Sequence, residues 1–191
     1  MKHLSVKDGV VYLNGQVFTQ VETALDLYKK IGAVYPKFFK MDPLCKWAWL
    51  GAECLLIEEG RPIYESINKE KIAVVLFTRD GCLEIDKVYL ESMKNIASPA
   101  LFVYTLPNIM LGEICIRHGF EGEQLCEILD EWAPEQISWY IQDLLENRNM
   151  EGCLFGWINA TSKSDSLEFY WCKKEESRYL VTENLNFLGK K

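Results

Sequence analysis

The segment Lys71–Phe77 constrains the fold most, because Ile72-Ala73-Val74-Val75-Leu76-Phe77 is an unbroken apolar run. A half-buried strand alternates apolar with polar residues. This run has no polar side to offer water, so it reads as a strand covered on both faces. Segments with helical spacing on either side of it can supply the covers. Val21–Gly32 places Val21, Ala24, Leu25, Leu27, Tyr28 and Ile31 on one stripe closed by Gly32. A second helix begins with Asp42 as cap and Pro43 at its first position. Its Leu44, Trp47, Ala48, Gly51, Cys54 and Leu55 recur at helical spacing until Gly60. Glu84–Asn95 is again helical. Pro107 opens a short helix with Met110, Leu111, Ile114 and Cys115 inward, ending near His118-Gly119. Pro134 opens another, with Ile137, Tyr140, Ile141, Leu144 and Leu145 as its buried face. Further strands are expected at Leu125–Leu129, Gly152–Ile158 and Leu167–Cys172. Val10–Leu13 and Gln16–Thr19 flank Asn14-Gly15, a tight hairpin turn. Strands interleaved with helices predict an α/β fold of stacked layers.

The 191 residues suffice for a single domain spanning 1–191 that needs no disulfide or metal to hold it. The 28 acidic residues outnumber the 21 basic ones, giving a net charge of −7. No Lys/Arg cluster exceeds a pair, so nucleic-acid phosphate is not an expected partner. The longest apolar runs, Ile72–Phe77 and Ala100–Leu106, have the length of a core strand or buried loop and are too short to span a bilayer. The N-terminal residues lack the apolar stretch of a secretory signal. Seven cysteines without a C-x-x-C pair argue against a disulfide framework or a zinc site, and the cytoplasm is the expected compartment. No cofactor motif occurs, and none is expected to bind. The tryptophans Trp47, Trp49, Trp139, Trp157 and Trp171 fall within helix or strand patterns, so they read as core.

Few residues could carry chemistry. Of the two histidines, His3 lies in the N-terminal tail, and His118 sits at a predicted helix C-terminus, where a capping or surface role is the plainer reading. Cys126 is the thiol nearest a strand end. Its neighbours Glu123, Glu127 and Asp130 would raise a thiol pKa, which favours a structural cysteine. Asp130 and Glu131 adjoin the helix at Pro134, where acidic side chains suit the dipole.

Three blocks in order resemble the β-ketoacyl-acyl-carrier-protein synthases. Lys40-Met41-Asp42-Pro43-Leu44-Cys45-Lys46-Trp47-Ala48-Trp49-Leu50-Gly51-Ala52-Glu53 resembles their "M-D-x-x-x-x-x-A-x-x-A" helix. Ile72–Leu76 followed by Thr78-Arg79-Asp80-Gly81 is similar to their "G-V-V-x-G-T" strand and turn. Ser98-Pro99-Ala100-Leu101-Phe102 with Leu106–Ile114 is similar to the "S-P…P-N…A-G-x-I-A" block, and it runs into His118–Gly122. The resemblance covers about residues 40 to 160. It implies a thiolase-like layered fold, a mixed sheet flanked by helices, restricted to the N-terminal half.

In that family of acyltransferases the nucleophile is a Cys in an "A-C-x-S-G" turn. Counting forward from Gly122, or backward from Glu151-Gly152-Cys153-Leu154-Phe155-Gly156, reaches Glu131, followed by Ala133 and Pro134. The resemblance thus implies a carboxylate in the thiol's place. The two further catalytic groups of a complete synthase belong to a second half that would begin roughly where this chain finishes. The implied function is a non-catalytic, pseudoenzyme-like partner in a fatty-acid or polyketide-type acyl pathway. Relatives called chain-length factors keep the fold, replace the active Cys and pair with a working synthase. The family dimerises through the strand before the nucleophile, so Leu125, Cys126, Ile128 and Leu129 are the implied edge of a homodimer or of a heterodimer with a ketosynthase-type subunit. Acyl carrier protein is a further implied partner. The competing expectation is a small acyltransferase or thioesterase that uses Cys126 or the Asp130/Glu131 pair, with His118 as base.

Overall fold

The computed structural model describes residues 1–161 and 165–185. Three antiparallel strands come first: β1 (Lys2–Lys7), β2 (Val10–Leu13) and β3 (Gln16–Gln20). Asn14 and Gly15 both take positive φ at the β2–β3 turn, as the hairpin reading requires. Helix α1 (Ala24–Lys30) is closed into a capping box by Thr23 and Asp26. Helix α2 (Pro43–Leu56) starts on Asp42, whose carboxylate accepts from the backbone of Leu44 and Cys45, each at 3.1 Å. A two-stranded hairpin, β4 (Ile57–Glu58) and β5 (Arg61–Pro62), follows it. The remaining elements are β6 (Ile72–Thr78), α3 (Leu83–Ser92), α4 (Pro99–Val103) and α5 (Ile109–His118). Then come β7 (Gln124–Ile128), α6 (Pro134–Glu146), β8 (Gly152–Ala160) and β9 (Asp165–Lys173).

Seven strands form one mixed sheet in the order β3-β2-β1-β9-β8-β6-β7. Strands β7, β6 and β8 are mutually parallel, and the rest join antiparallel. All seven residues of β6 are buried because the pleat sends them to two different cores. Ile72, Val74 and Leu76 meet Leu154 and Phe169 under α2 and α5. Ala73, Val75 and Phe77 meet Phe155 and Tyr170 under α6. Each buried Ile, Val, Leu or Phe side chain contributes about 1.5–3 kcal/mol relative to exposure, so the strand commits the chain to three layers. The sheet sits close to its first cover. A Cβ on Gly51 of α2 would lie 2.9 Å from the Phe169 ring, and one on Gly156 of β8 would lie 2.7 Å from the same ring. Phe169 therefore occupies the space that two glycines leave empty.

The structure corrects several expectations. The N-terminal residues form no tail: β1 is an inner strand between β2 and β9, and His3 stacks on Tyr170 while its Nε2 meets Glu168. Helix α2 ends at Leu56, because Glu59 and Gly60 take positive φ and turn the β4–β5 hairpin. Ala100–Leu106 is neither a strand nor a buried loop. Pro99 at a first helical turn, with Ser98 accepting from the amide of Leu101, makes its first residues the short helix α4. Trp139 is 68 % exposed on the outer side of α6, while Trp47, Trp49, Trp157 and Trp171 are buried. Among the described residues no helix is long and apolar enough to cross a membrane.

Candidate functional site

The chain leaves β6 on the α2 side, through α3, α4 and α5, and reaches β7. It then crosses the opposite side of the sheet through α6 to reach β8. Connections that leave on opposite faces open a crevice at the carboxyl ends of the parallel strands, which is where such sheets place their chemistry. Here those ends are Thr78, Ile128 and Ala160.

Asn159 organises this end. Its Oδ1 accepts from the Thr78 hydroxyl at 3.0 Å, the Arg79 amide at 3.0 Å and the Asp80 amide at 3.2 Å. The Thr78 hydroxyl oxygen accepts in turn from the Gly81 amide at 3.1 Å, so the turn after β6 is tied to β8 by two side chains. The Leu129 amide donates to the Thr78 carbonyl at 3.0 Å, which brings the end of β7 to the same place. Asp130 and Glu131 follow immediately, both exposed. Trp132 then turns inward: it meets Trp157 edge-on, stacks on Tyr170 and donates its indole N–H to the Leu185 carbonyl at 2.6 Å. Helix α6 begins with no side-chain cap from Ala133, and Pro134 carries no N–H. The turn therefore presents carboxylates to solvent in front of a helix N-terminus that has lost one donor.

The structure does not gather the residues that the enzymatic expectation needs together. Cys126 lies in mid-strand opposite Leu76, and its thiol packs into the core under α5. Burial pushes that thiol up to about 11, away from the thiolate that nucleophilic attack requires. His118 is no surface cap. It is buried against Phe120, with Nδ1 2.9 Å from the Tyr64 hydroxyl and Nε2 3.4 Å from Glu53. Burial, reinforced by Arg117 and Lys69, holds it down to about 3, so it is neutral near pH 7. It also stands at the wrong end of the sheet. Gly119 lies over Lys69, and Gly122 lies over Ile72 at the start of β6. Asp130 and Glu131 follow the far end of β7, a separation of about 16 Å at 3.3 Å per residue.

The environment of His118 opens elsewhere. Arg117 donates to both oxygens of Glu53, at 2.7 and 3.0 Å, and this pair lines a groove of about 1170 Å³ between the β2–β3 and β4–β5 hairpins. Among the described residues no group of His, Cys, Asp and Glu is arranged to hold a metal ion. Sequence reasoning missed Asn159 and Trp132. Thr78 was visible as the polar end of an apolar run, but Asn159 is one more residue of a strand until its three donors are in place.

No family model and no curated protein matches the chain. Solved structures do. The ishigamide ketosynthase/chain length factor aligns with a TM-score of 0.65 at 17 % identity, covering 78 % of this chain and 47 % of that one. The ketosynthase ApeO in complex with its chain length factor ApeC, from Xenorhabdus doucetiae, aligns with a TM-score of 0.61 at 11 % identity, covering 91 % of this chain and 77 % of that one. The chain thus spans about half the length of the first of these. Its fold is one half of the thiolase-like ketosynthase fold.

Proposed function

We propose that this chain is a non-catalytic ketosynthase-fold subunit that pairs with a ketosynthase-type partner in a fatty-acid or polyketide-type acyl pathway. One observation carries the reading: where the fold delivers a nucleophile, at the turn between β7 and α6, this chain exposes Glu131, backed by Ala133 and Pro134. A carboxylate there has neither the sulfur of an acyl-enzyme nor an imidazole beside it. The rest of the scaffold is kept, including the mixed sheet, the α2 cover and the crossing through α6.

The pairing is read from the sheet. Among the described residues strand β7 bonds only to β6 and ends the sheet, so Leu125, Cys126, Ile128 and Leu129 lie on or beside an edge that a second sheet can extend. The two solved structures named above are described as ketosynthases with chain length factors, and an assisting role of that type suits a chain without a nucleophile. The partner is a ketosynthase-type subunit, with acyl carrier protein as the carrier it serves. All seven cysteines are unpaired thiols, which suits a cytoplasmic setting.

The test is affinity capture of the tagged chain from its own cells, with every captured protein identified by mass spectrometry. The reading expects a ketosynthase with its own active-site Cys. A chain that stays monomeric and brings down neither a ketosynthase nor an acyl carrier protein contradicts it.

A further inference from the structure

Between Leu27 and Met41 the chain carries Lys29, Lys30, Lys37 and Lys40 and no acidic residue, although over its whole length 28 acidic residues outnumber 21 basic ones. In sequence these lysines form two separate groups. The fold joins them. The 3-10 turn Pro36–Lys40 returns onto the end of α1, where the Tyr28 ring stacks on Phe38 at 4.2 Å and meets Phe39 edge-on at 5.5 Å. The Tyr28 hydroxyl also accepts from the Tyr35 amide at 2.7 Å. Lys37 is engaged by the buried carboxylate of Glu113, 2.9 Å away. Lys29, Lys30 and Lys40 are exposed and make no ion pair among the described residues. Lys30 reaches only neutral groups, the Thr19 hydroxyl at 3.3 Å and the Gln20 carbonyl. Asp26, the acid of α1, is held by Thr23 in the capping box. Three positive charges therefore stand uncompensated on one corner of an acidic chain.

Apolar side chains stand among these ammonium groups. Val34 is 83 % exposed and Phe39 62 %, and Leu25, one turn before Lys29 on α1, adds a third. Outward apolar side chains flanked by lysines suit a segment that rests in the headgroup layer of a membrane. There the ring and methyl groups enter the acyl boundary while the ammonium groups reach phosphate. A protein partner asks for about 20–30 contacting residues on each side, whereas a lipid surface takes singly exposed side chains without a matched shape. We propose that this corner, from α1 to Lys40, is a peripheral docking surface for an anionic bilayer, with Val34 and Phe39 inserted and Lys29, Lys30 and Lys40 on lipid phosphate. The inference goes beyond the pairing read above and does not rest on it. Lys30 ties the corner to β3, which ends the sheet opposite β7, so a subunit on β7 and a bilayer here occupy different ends of the molecule.

The experiment is co-sedimentation of the purified full chain with vesicles of phosphatidylcholine alone and of phosphatidylcholine mixed with phosphatidylglycerol, at low and at high salt, with duplex DNA as a second polyanion. The proposal expects binding to the mixed vesicles at low salt, release at high salt and no binding to phosphatidylcholine alone. Lys29→Gln and Lys40→Gln are each expected to weaken vesicle binding about fivefold. Val34→Ser and Phe39→Ser are expected to weaken it several-fold, with melting temperatures within a few degrees of wild type. Val34 is the stricter of the two, because Phe39 also touches Tyr28. Ile96→Ser, which alters an exposed apolar side chain between α3 and α4, is expected to change nothing. A wild-type chain that ignores the mixed vesicles at low salt overturns the proposal, as does vesicle binding that all four corner variants leave unchanged. Duplex DNA bound as tightly as the vesicles, with Val34→Ser and Phe39→Ser silent in both, marks an unselective polyanion patch and overturns the lipid assignment.

Discussion

Cys126 and Glu131 stand five residues apart, and the difference in their surroundings separates a half-buried thiol packed against the core from an exposed carboxylate. With its pKa pushed up to about 11, Cys126 is ionised in only about one molecule in 10,000 at pH 7. Alkylation by iodoacetamide at neutral pH, followed by peptide mass spectrometry, will therefore show Cys126 reacting far more slowly than a free thiol such as glutathione under the same conditions. A Cys126 alkylated as fast as the free thiol, or faster, would refute its structural role. His118 gives a second prediction, from linkage. Its folded pKa lies below that of the unfolded chain, so between about pH 6.5 and 3 the unfolded state binds the extra proton. Stability is therefore intact above pH 6.5 and is lost as pH falls, with a slope approaching about 1.4 kcal/mol per pH unit from this residue. His118→Gln keeps an acceptor for the Tyr64 hydroxyl but cannot titrate there. Urea unfolding at a series of pH values will show a shallower acid limb for this variant, and an unchanged limb would show that His118 does not drive it.

At the scale of elements, the sequence was legible wherever a local rule had a strong carrier. Asp42-Pro43 marks the start of α2, Asn14-Gly15 the hairpin, Pro134 the start of α6 and the apolar run the central strand, and the structure has each of them. It was illegible where tertiary contact decides. Lys2–Lys7 has no apolar run, yet it becomes an inner strand because β9 pairs with it. Trp139 reads as core for lying within a helical segment, but it points outward, since two residues beyond Ile137 is the side of α6 opposite the buried stripe of Ile137, Ile141, Leu144 and Leu145, which helical spacing alone could have shown. At the candidate site, Asp130 and Glu131 were readable as acidic residues adjoining the helix at Pro134, and the structure exposes both there. The clamp of Asn159 on the β6 turn was not, since its donors come from a segment about 80 residues away. Close packing at this scale is testable through Gly51→Ala. Alanine is the better helix former by about 1 kcal/mol, which alone would stabilise α2. The 2.9 Å approach to Phe169 opposes it, and overpacking costs about 1–3 kcal/mol. Chemical denaturation is expected to show net destabilisation. A gain in stability would mean that Phe169 yields freely.

At the scale of the whole molecule, half of a two-half architecture must cover both faces of its sheet. The α2 face is covered by α1, α2 and α5. The opposite face is closed by α6 together with the chain's own C-terminal segment, whose Leu180 and Leu185 are buried in the second core. The Leu180 carbonyl accepts from Ser138 and Gln142 of α6, and the Leu185 carbonyl accepts from Trp132. Leu185→Ala is accordingly expected to cost about 2–5 kcal/mol in urea unfolding, whereas a surface role for this residue would leave stability within about 0.5 kcal/mol. What this self-closed body leaves open, among the described residues, is the β7 edge and the apolar α3–α4 surface beside it. The decisive measurement is intact-mass spectrometry of the purified chain after incubation with acyl-CoA and acylated carrier protein, with no other protein present. The account predicts an unmodified 22.2 kDa chain. An acyl adduct that hydroxylamine releases would contradict it.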